Sequence, residues 1–290
     1  MHSLWMVAAG LSFALMGVFV KYASAQFSAA EMVFYRSLLQ MGVAWFVLGR
    51  AGLSVKTARF GMHVHRGVSG FVSLFMFFYA LTTLPVATAM TLNYTSPLFL
   101  ALLLTWIARE RPRRVLLATV GLGFVGAILL LRPTLTAAQV WPAAIGLASG
   151  AISAIAYWNV RELVRAEEPE ARVVFYFALF AFLGSLLWMT PQIWSPVRLD
   201  NVGLLVAIGA FGTAGQLAMT RAYGKGRTLV TAALSYSGIV FSSALGIVVF
   251  ADVLPWPAWI GMGLIVAAGI IAVQLQPGAQ KAAAPQVTSD

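Results

Sequence analysis

This 290-residue chain contains no cysteine, so disulfides and thiolate-held metals are excluded. Acid is nearly as scarce: Asp and Glu together number nine, and charged residues make up 10% of the sequence. Ordinary soluble domains carry about 25%. The carboxylates are not paired for acid–base work. Glu162, Glu167, Glu168 and Glu170 crowd one polar stretch that reads as a solvated loop, and the others are scattered. His2 is terminal, and His63 and His65 read as loop residues. A spacing of i, i+2 does not bring two histidines to one helix face, so no metal site is expected. No nucleotide-binding, metalloprotease or serine-elbow pattern occurs. A membrane-embedded enzyme acting on lipids would gather His, Asp or Cys near the interface, and it stays only as a remote alternative. Neither an enzyme nor a cofactor is expected.

What the chain has in abundance is apolar sequence: 60% of residues are hydrophobic and the mean hydropathy is +0.86. The runs cover approximately residues 3–22, 31–49, 67–84, 87–108, 114–131, 140–160, 172–190, 202–221, 228–250 and 256–275. About 20 such residues cross the hydrocarbon core as a helix, and helices are the option for runs this long because lipid offers the backbone no partners. The fold class predicted is all-α integral membrane, with ten transmembrane helices. Gly121-Leu122-Gly123-Phe124-Val125-Gly126 fits a dinucleotide fingerprint, but it lies inside an apolar run and follows no strand, so it reads as helix packing.

The net charge of +10 does not indicate nucleic acid, because the basic residues sit between the runs and form no single patch. Fifteen of the nineteen fall in alternate loops and the tail, including Arg50, Arg66, Arg109, Arg114, Arg165, Arg221 and Lys281. Lys21, Arg132 and Arg198 fall on the other side, and Arg36 lies inside a run. Positive residues collect in the cytoplasm, so both termini are placed there. Ala23-Ser24-Ala25 resembles a signal-peptidase site. No basic residue precedes the first run, however, and cleavage would remove a helix that the repeat described next requires.

The second half resembles the first at an offset of 142. Gly67 and Gly70 fall on Gly209 and Gly212, Leu92 on Leu234, Tyr94 on Tyr236, Phe99 on Phe241 and Glu110 on Asp252. Val33-Phe34-Tyr35 matches Val174-Phe175-Tyr176 at 141. Five runs per half is an odd number, so the second half enters the membrane inverted. Inverted repeats are a transporter signature, since two mirrored bundles can open one midplane site to either side. The domains expected are 1–136 (first repeat), 137–276 (second repeat) and 277–290, a disordered cytoplasmic tail.

Phe34-Tyr35-Arg36, the stretch from Tyr79-Ala80-Leu81-Thr82 to Ser96-Pro97, the Glu closing run 4 and the ending Leu131-Arg132-Pro133 resemble the EamA family of the drug/metabolite transporter superfamily. The resemblance spans about residues 1–276 and is nearest to YddG-type amino-acid exporters. It implies a basket of ten helices around a central cavity, with metabolites, most readily aromatic or hydrophobic amino acids, exported across the bacterial inner membrane. Another metabolite or drug, such as a nucleoside, vitamin or nucleotide-sugar, is the alternative. Many relatives carry a Pro matching Pro97 in run 9. Here Ile239 takes that place, after Ser237-Gly238.

The substrate-cavity residues expected are Asn93, Tyr94, Ser96, Pro97, Tyr79, Gln216, Ser235, Tyr236, Gly238 and Ser242. Pro97 lacks an N–H, which frees the Asn93 carbonyl. Ser235, Gly238 and Ser242 share one helical face with Thr231, where close packing is the competing role. Gln216 places a costly amide in mid-membrane. Tyr94 and Tyr236, related by the repeat, are expected to face each other across the two-fold axis. Tyr157 and Trp158 are assigned to the interfacial belt. Arg36 binds a substrate carboxylate or pairs with Glu31, Asp200 or helix-end carbonyls. With at most one cavity cation, a phosphorylated substrate is disfavoured. With no acid in the membrane interior, uniport or exchange is expected in place of a proton relay. The partners are the bilayer and a small molecule, not nucleic acid, and both a monomer and a homodimer fit.

Overall fold

The computed structural model describes residues 2–84, 86–106, 114–131, 137–189, 194–251 and 255–274. Among these the chain is helical, with no strand. Helices α1 (Trp5–Ala23), α2 (Ala29–Arg50) and α3 (Phe60–Thr83) precede a short pair, α4 (Val86–Asn93) and α5 (Ser96–Trp106), and then α6 (Arg114–Leu131). Helices α7 (Val140–Arg165), α8 (Glu170–Trp188) and α9 (Val202–Lys225) precede a second short pair, α10 (Thr228–Ser235) and α11 (Ser237–Phe250), and then α12 (Trp256–Gln274).

Six helical stretches are long and apolar enough to cross a membrane: His2–Ala23, Ala29–Arg50, Val140–Arg165, Glu170–Trp188, Val202–Lys225 and Thr228–Phe250. Arg114–Leu129 and Trp256–Ala272 are apolar but shorter. Large apolar side chains point outward, with Trp106 80% and Leu187 88% exposed. So much bare apolar surface fits lipid as the surrounding solvent. Glu110, Asp252, Arg132-Pro133 and the tail 277–290 lie outside the described residues.

Small residues set the helix crossings. A Cβ at Gly10 of α1 would lie 2.9 Å from the Gly238 nitrogen of α11. One at Gly126 would lie 2.8 Å from the Gly261 carbonyl of α12. Gly67 and Gly184 receive the Phe180 and Phe71 rings, which joins α3 to α8. In the fingerprint-like stretch, Gly123 receives the Tyr236 ring and Gly126 receives α12, whereas Gly121 faces open space. The packing reading of those glycines therefore holds at two of the three.

Polar clamps fix the ends. Ser28 caps α2 in a reciprocal box with Glu31, whose carboxylate also accepts from the Ser195 backbone N–H and hydroxyl. Helix α7 ends in a Schellman turn, with Glu168 N–H donating to the Leu163 carbonyl at 3.1 Å and Glu167 N–H to that of Val164 at 3.0 Å. That turn aims the Glu168 carboxylate at Thr57 (2.5 Å), Arg172 (2.8 Å) and His63 (3.3 Å). Burial works against its charge, but these donors win, and its carboxyl stays below the usual range.

Two sequence readings change here. Helix α3 begins at Phe60, ahead of the predicted residue 67, so His63 and His65 are helical and not loop residues. The polar start of α3 is tolerated because it finds interior partners. The His63 ring lies 4.4 Å from that of Tyr176, and Arg66 lies 4.3 Å above Phe177. Runs 4 and 9 are each split into two helices, at Tyr94-Thr95 and at Tyr236.

Candidate substrate site

The two splits coincide with the residues that the 142-residue offset pairs. At the first, Pro97 supplies no N–H, and the chain turns through Thr95, whose hydroxyl donates to the Leu92 carbonyl at 2.6 Å. At the second there is no proline. Tyr236 keeps helical dihedrals of −62° and −19°, its N–H reaches the Ala233 carbonyl at a long 3.4 Å, and the Ser235 hydroxyl donates to Ala232 at 2.7 Å. At each split a side-chain hydroxyl turns back onto the carbonyl of the preceding turn.

The Tyr94 and Tyr236 rings meet between the two splits, with centroids 6.1 Å apart and planes tilted by 38°. A Cβ at Gly238 would lie 2.7 Å from the Tyr94 hydroxyl, so the absent side chain at 238 makes room for the tyrosine. Tyr157 and Tyr223 stack nearby at 4.8 Å and 13°. Tyr157 therefore faces inward, which corrects its assignment to the interfacial belt. Trp158 is half-buried and packs on the same core cluster. The Tyr223 and Tyr236 hydroxyls are buried without a hydrogen-bond partner.

Around the aromatics the remaining expected residues divide into two groups. Asn93 donates from Nδ2 to the Ser149 hydroxyl at 3.2 Å, and its carbonyl lies against α7, 3.2 Å from where a Gly150 Cβ would stand. Ser96 and Pro97 are buried at the same junction. Here the residues take part in helix packing, with Asn93 half-buried. Gln216 is buried on α9 with Nε2 unpartnered, and Thr220, one turn on, also has an unpartnered hydroxyl. Ser235 and Ser242 are half-buried. Tyr79 lies apart, lining a cleft of about 250 Å³ with Phe75, Phe78, Trp188 and the start of α2.

Arg36 is buried against α9, its Nε 2.5 Å from where a Cβ on Gly212 would stand. It pairs with neither Glu31, which is engaged by Ser28 and Ser195, nor Asp200, and its Nε and Nη1 have no hydrogen-bond partner. Arg66 repeats this situation on α3. It is buried, its Nε and Nη1 are unpartnered, and it lies over the Phe177 ring and against Gly70. Sequence reasoning missed Arg66 because it was counted among the loop cations. Its signal was Gly67 and Gly70, which pack the same end of α3 against α8 and leave space for the guanidinium.

A lipid-facing helical bundle whose interior holds stacked tyrosines and unpaired polar groups is compatible with a solute carrier. The sequence comparisons agree. The chain belongs to the EamA-like transporter family of the drug/metabolite transporter superfamily, whose family model matches residues 1–132. It is 31% identical to the pseudopaline exporter CntI of Pseudomonas aeruginosa, covering 92% of this chain and 93% of that one. It is 24% identical to a riboflavin transporter of Brucella anthropi, over 96% and 100% of the two chains. It is also 24% identical to an S-adenosylmethionine uptake transporter of Rickettsia prowazekii, over 85% and 83%. A crystal structure with 21% identity shares the fold, with a TM-score of 0.81 over 94% of this chain and 98% of that one. The protein is a multi-pass membrane transporter of small metabolites, not an enzyme.

Proposed function

We propose that the protein exports amino acids or similar small zwitterions across the bacterial inner membrane by alternating access. In this reading α4–α5 and α10–α11 are single broken spans, giving ten spans in two inverted repeats with both termini in the cytoplasm. The packing supports a two-fold relation. Under the repeat, α1 corresponds to α7 and α3 to α9. The pair α3–α7 then exchanges with α9–α1, and both are close packed. The pairs α2–α8 and α6–α12 map onto themselves, and both are also close packed.

The observation that carries the function is the contact of Tyr94 with Tyr236, where both broken spans meet, beside inward-facing polar groups that lack partners. Breaks at equivalent midplane positions are where carriers of this construction bind solute. Export as the net direction rests on the likeness to a relative named as an exporter. Among the described residues, Asp and Glu stand at helix ends or in connections, so no proton relay crosses the middle and the solute's own gradient drives transport. A vitamin carrier is the second reading, favoured by the stacked tyrosines, which suit a flat ring, and by the likeness to riboflavin transporters.

Proteoliposomes loaded with separate amino acids, nucleosides and riboflavin, with no pH gradient, test this reading. Amino-acid efflux that Tyr94→Ala and Gln216→Ala both diminish is expected. Efflux of riboflavin alone would favour the second reading, and a strict need for a proton gradient would overturn the mechanism.

A further inference from the structure

Among the described residues, Arg36 and Arg66 are buried cations with no counter-ion. Arg36 and Arg66 are 3% and 2% exposed, and Nε and Nη1 of each lack any hydrogen-bond partner. The described carboxylates nearby are engaged elsewhere. Glu31 holds Ser28 and Ser195, Glu168 holds Thr57, Arg172 and His63, and Glu170 holds Arg221 and Lys225. A buried charge with no partner is strongly unfavourable, and arginine does not escape by losing its proton.

Their placement along the helices matters as much as their burial. Arg36 stands seven residues into α2, about 10 Å from its start, and Arg66 six residues into α3, about 9 Å from its start. Spans joined by a short loop run in opposite directions, so the cations approach the middle from opposite ends.

We propose that Arg36 and Arg66 together seat a solute bearing two carboxylates, one on each guanidinium fork. The substrate class is then acidic metabolites in preference to neutral or monoacidic ones. The proposal rests on the transporter reading and narrows it. The planar fork of arginine accepts a carboxylate through two parallel hydrogen bonds, which both neutralises and orients it. A dianion would give both unpaired cations a partner in one binding event, whereas a neutral amino acid would leave one cation bare.

The test is thermal unfolding of the full chain in nanodiscs, at matched ionic strength, with glutarate, its monoamide glutaramate, or inorganic phosphate. Glutarate is expected to raise the midpoint with an apparent affinity roughly tenfold to a hundredfold above that of glutaramate, the worth of one charged hydrogen-bonded contact. Arg36→Gln and Arg66→Gln should each bring glutarate down to the glutaramate level. Without ligand, both variants should unfold no lower than the parent, because each removes an unpaired buried charge. Equal protection by glutarate and glutaramate, protection by phosphate alone, or a loss of folding in either variant would overturn the proposal. In the last case the cation would be serving the scaffold. Neutral amino-acid efflux that glutarate does not inhibit would overturn the diacid class while leaving the transporter reading intact. Failure of any solute to move would sink the transporter reading itself.

Discussion

Gly10 and Gly17 lie two turns apart on α1, and alanine at each should have opposite consequences. A Cβ at Gly10 would sit 2.9 Å from the Gly238 nitrogen, 3.0 Å from its Cα and 3.1 Å from the Ser237 hydroxyl oxygen. Comfortable heavy-atom separations are about 3.5–4.0 Å. The obstacle is backbone, which cannot rotate aside, so α1 and α11 must part by roughly half an ångström or more at their crossing. Overpacking of that kind costs about 1–3 kcal/mol. At Gly17 nothing lies within 4 Å. Both substitutions share the same intrinsic gain, about 1 kcal/mol for replacing a helical glycine with alanine. The difference between the two variants therefore isolates the crossing. Thermal unfolding in nanodiscs should place Gly10→Ala below Gly17→Ala by about 1–3 kcal/mol, with Gly17→Ala at or above the parent. Efflux should fall with Gly10→Ala alone, since the displaced α11 is capped by Tyr236. Equal midpoints for the two variants would refute the close approach of α1 and α11.

Tyr236→Phe removes a buried hydroxyl that has no partner, so stability should hold or rise by about 1 kcal/mol while efflux falls, read by unfolding and liposome flux on one preparation. Glu168→Gln should destabilise by about 2 kcal/mol, because it discharges the group that holds Thr57, Arg172 and His63. The same carboxylate gives a pH signature. Its folded value is depressed, so its contribution is fully present above the ordinary value of 4.5 and is lost as pH falls through the depressed one. A parent-minus-Glu168→Gln stability difference that shrinks as pH falls below about 4.5 is expected, with the titration of His63 against the same carboxylate superimposed at higher pH. Glu167 occupies the left-handed position of the α7 Schellman turn, with φ at 64°. Glu167→Gly should therefore raise the unfolding free energy by about 1 kcal/mol, in the chemical-denaturation midpoint.

The apolar runs were legible because lipid imposes a simple length rule, and the described helices lie on all ten of them. The Tyr94–Tyr236 contact was legible too, through a repeat offset that needs no knowledge of packing. What the sequence hid were the polar starts of helices. His63 and Arg66 interrupt the hydropathy of α3, and only the docking of that end on Tyr176 and Phe177 of α8 makes it helical and buried. Tyr157 was hidden for a similar reason. Near the end of a run, an aromatic facing lipid and one facing a neighbour have the same sequence signature, and the Tyr223 ring decides between them. The break without proline at Tyr236 depends on a hydroxyl turning back onto its own helix, which residue type alone does not fix.

If the halves are the inverted repeats proposed above, framework and specificity are divided between them. Tyrosines 94 and 236 correspond to each other, and the glycines at 67 and 70 recur at 209 and 212, so the breaks and crossings belong to the shared framework. The two interior cations do not. At the offset of 141 that aligns Tyr35 with Tyr176, Arg36 corresponds to Phe177, and at 142 Arg66 corresponds to Ile208. The residue opposite Arg36 in the repeat is the very ring beneath Arg66. A rocking mechanism needs two halves that are alike, because each must close the passage in turn. Recognition of a particular solute needs a site with unlike ends, because the solute is not two-fold symmetric. In this chain the first half carries both guanidinium groups and the second supplies the apolar wall against one of them. Exchanging the pair, with Arg36→Phe and Phe177→Arg together, should retain the fold of the repeats and abolish the solute preference, whereas preference retained in that variant would place recognition on the tyrosines instead.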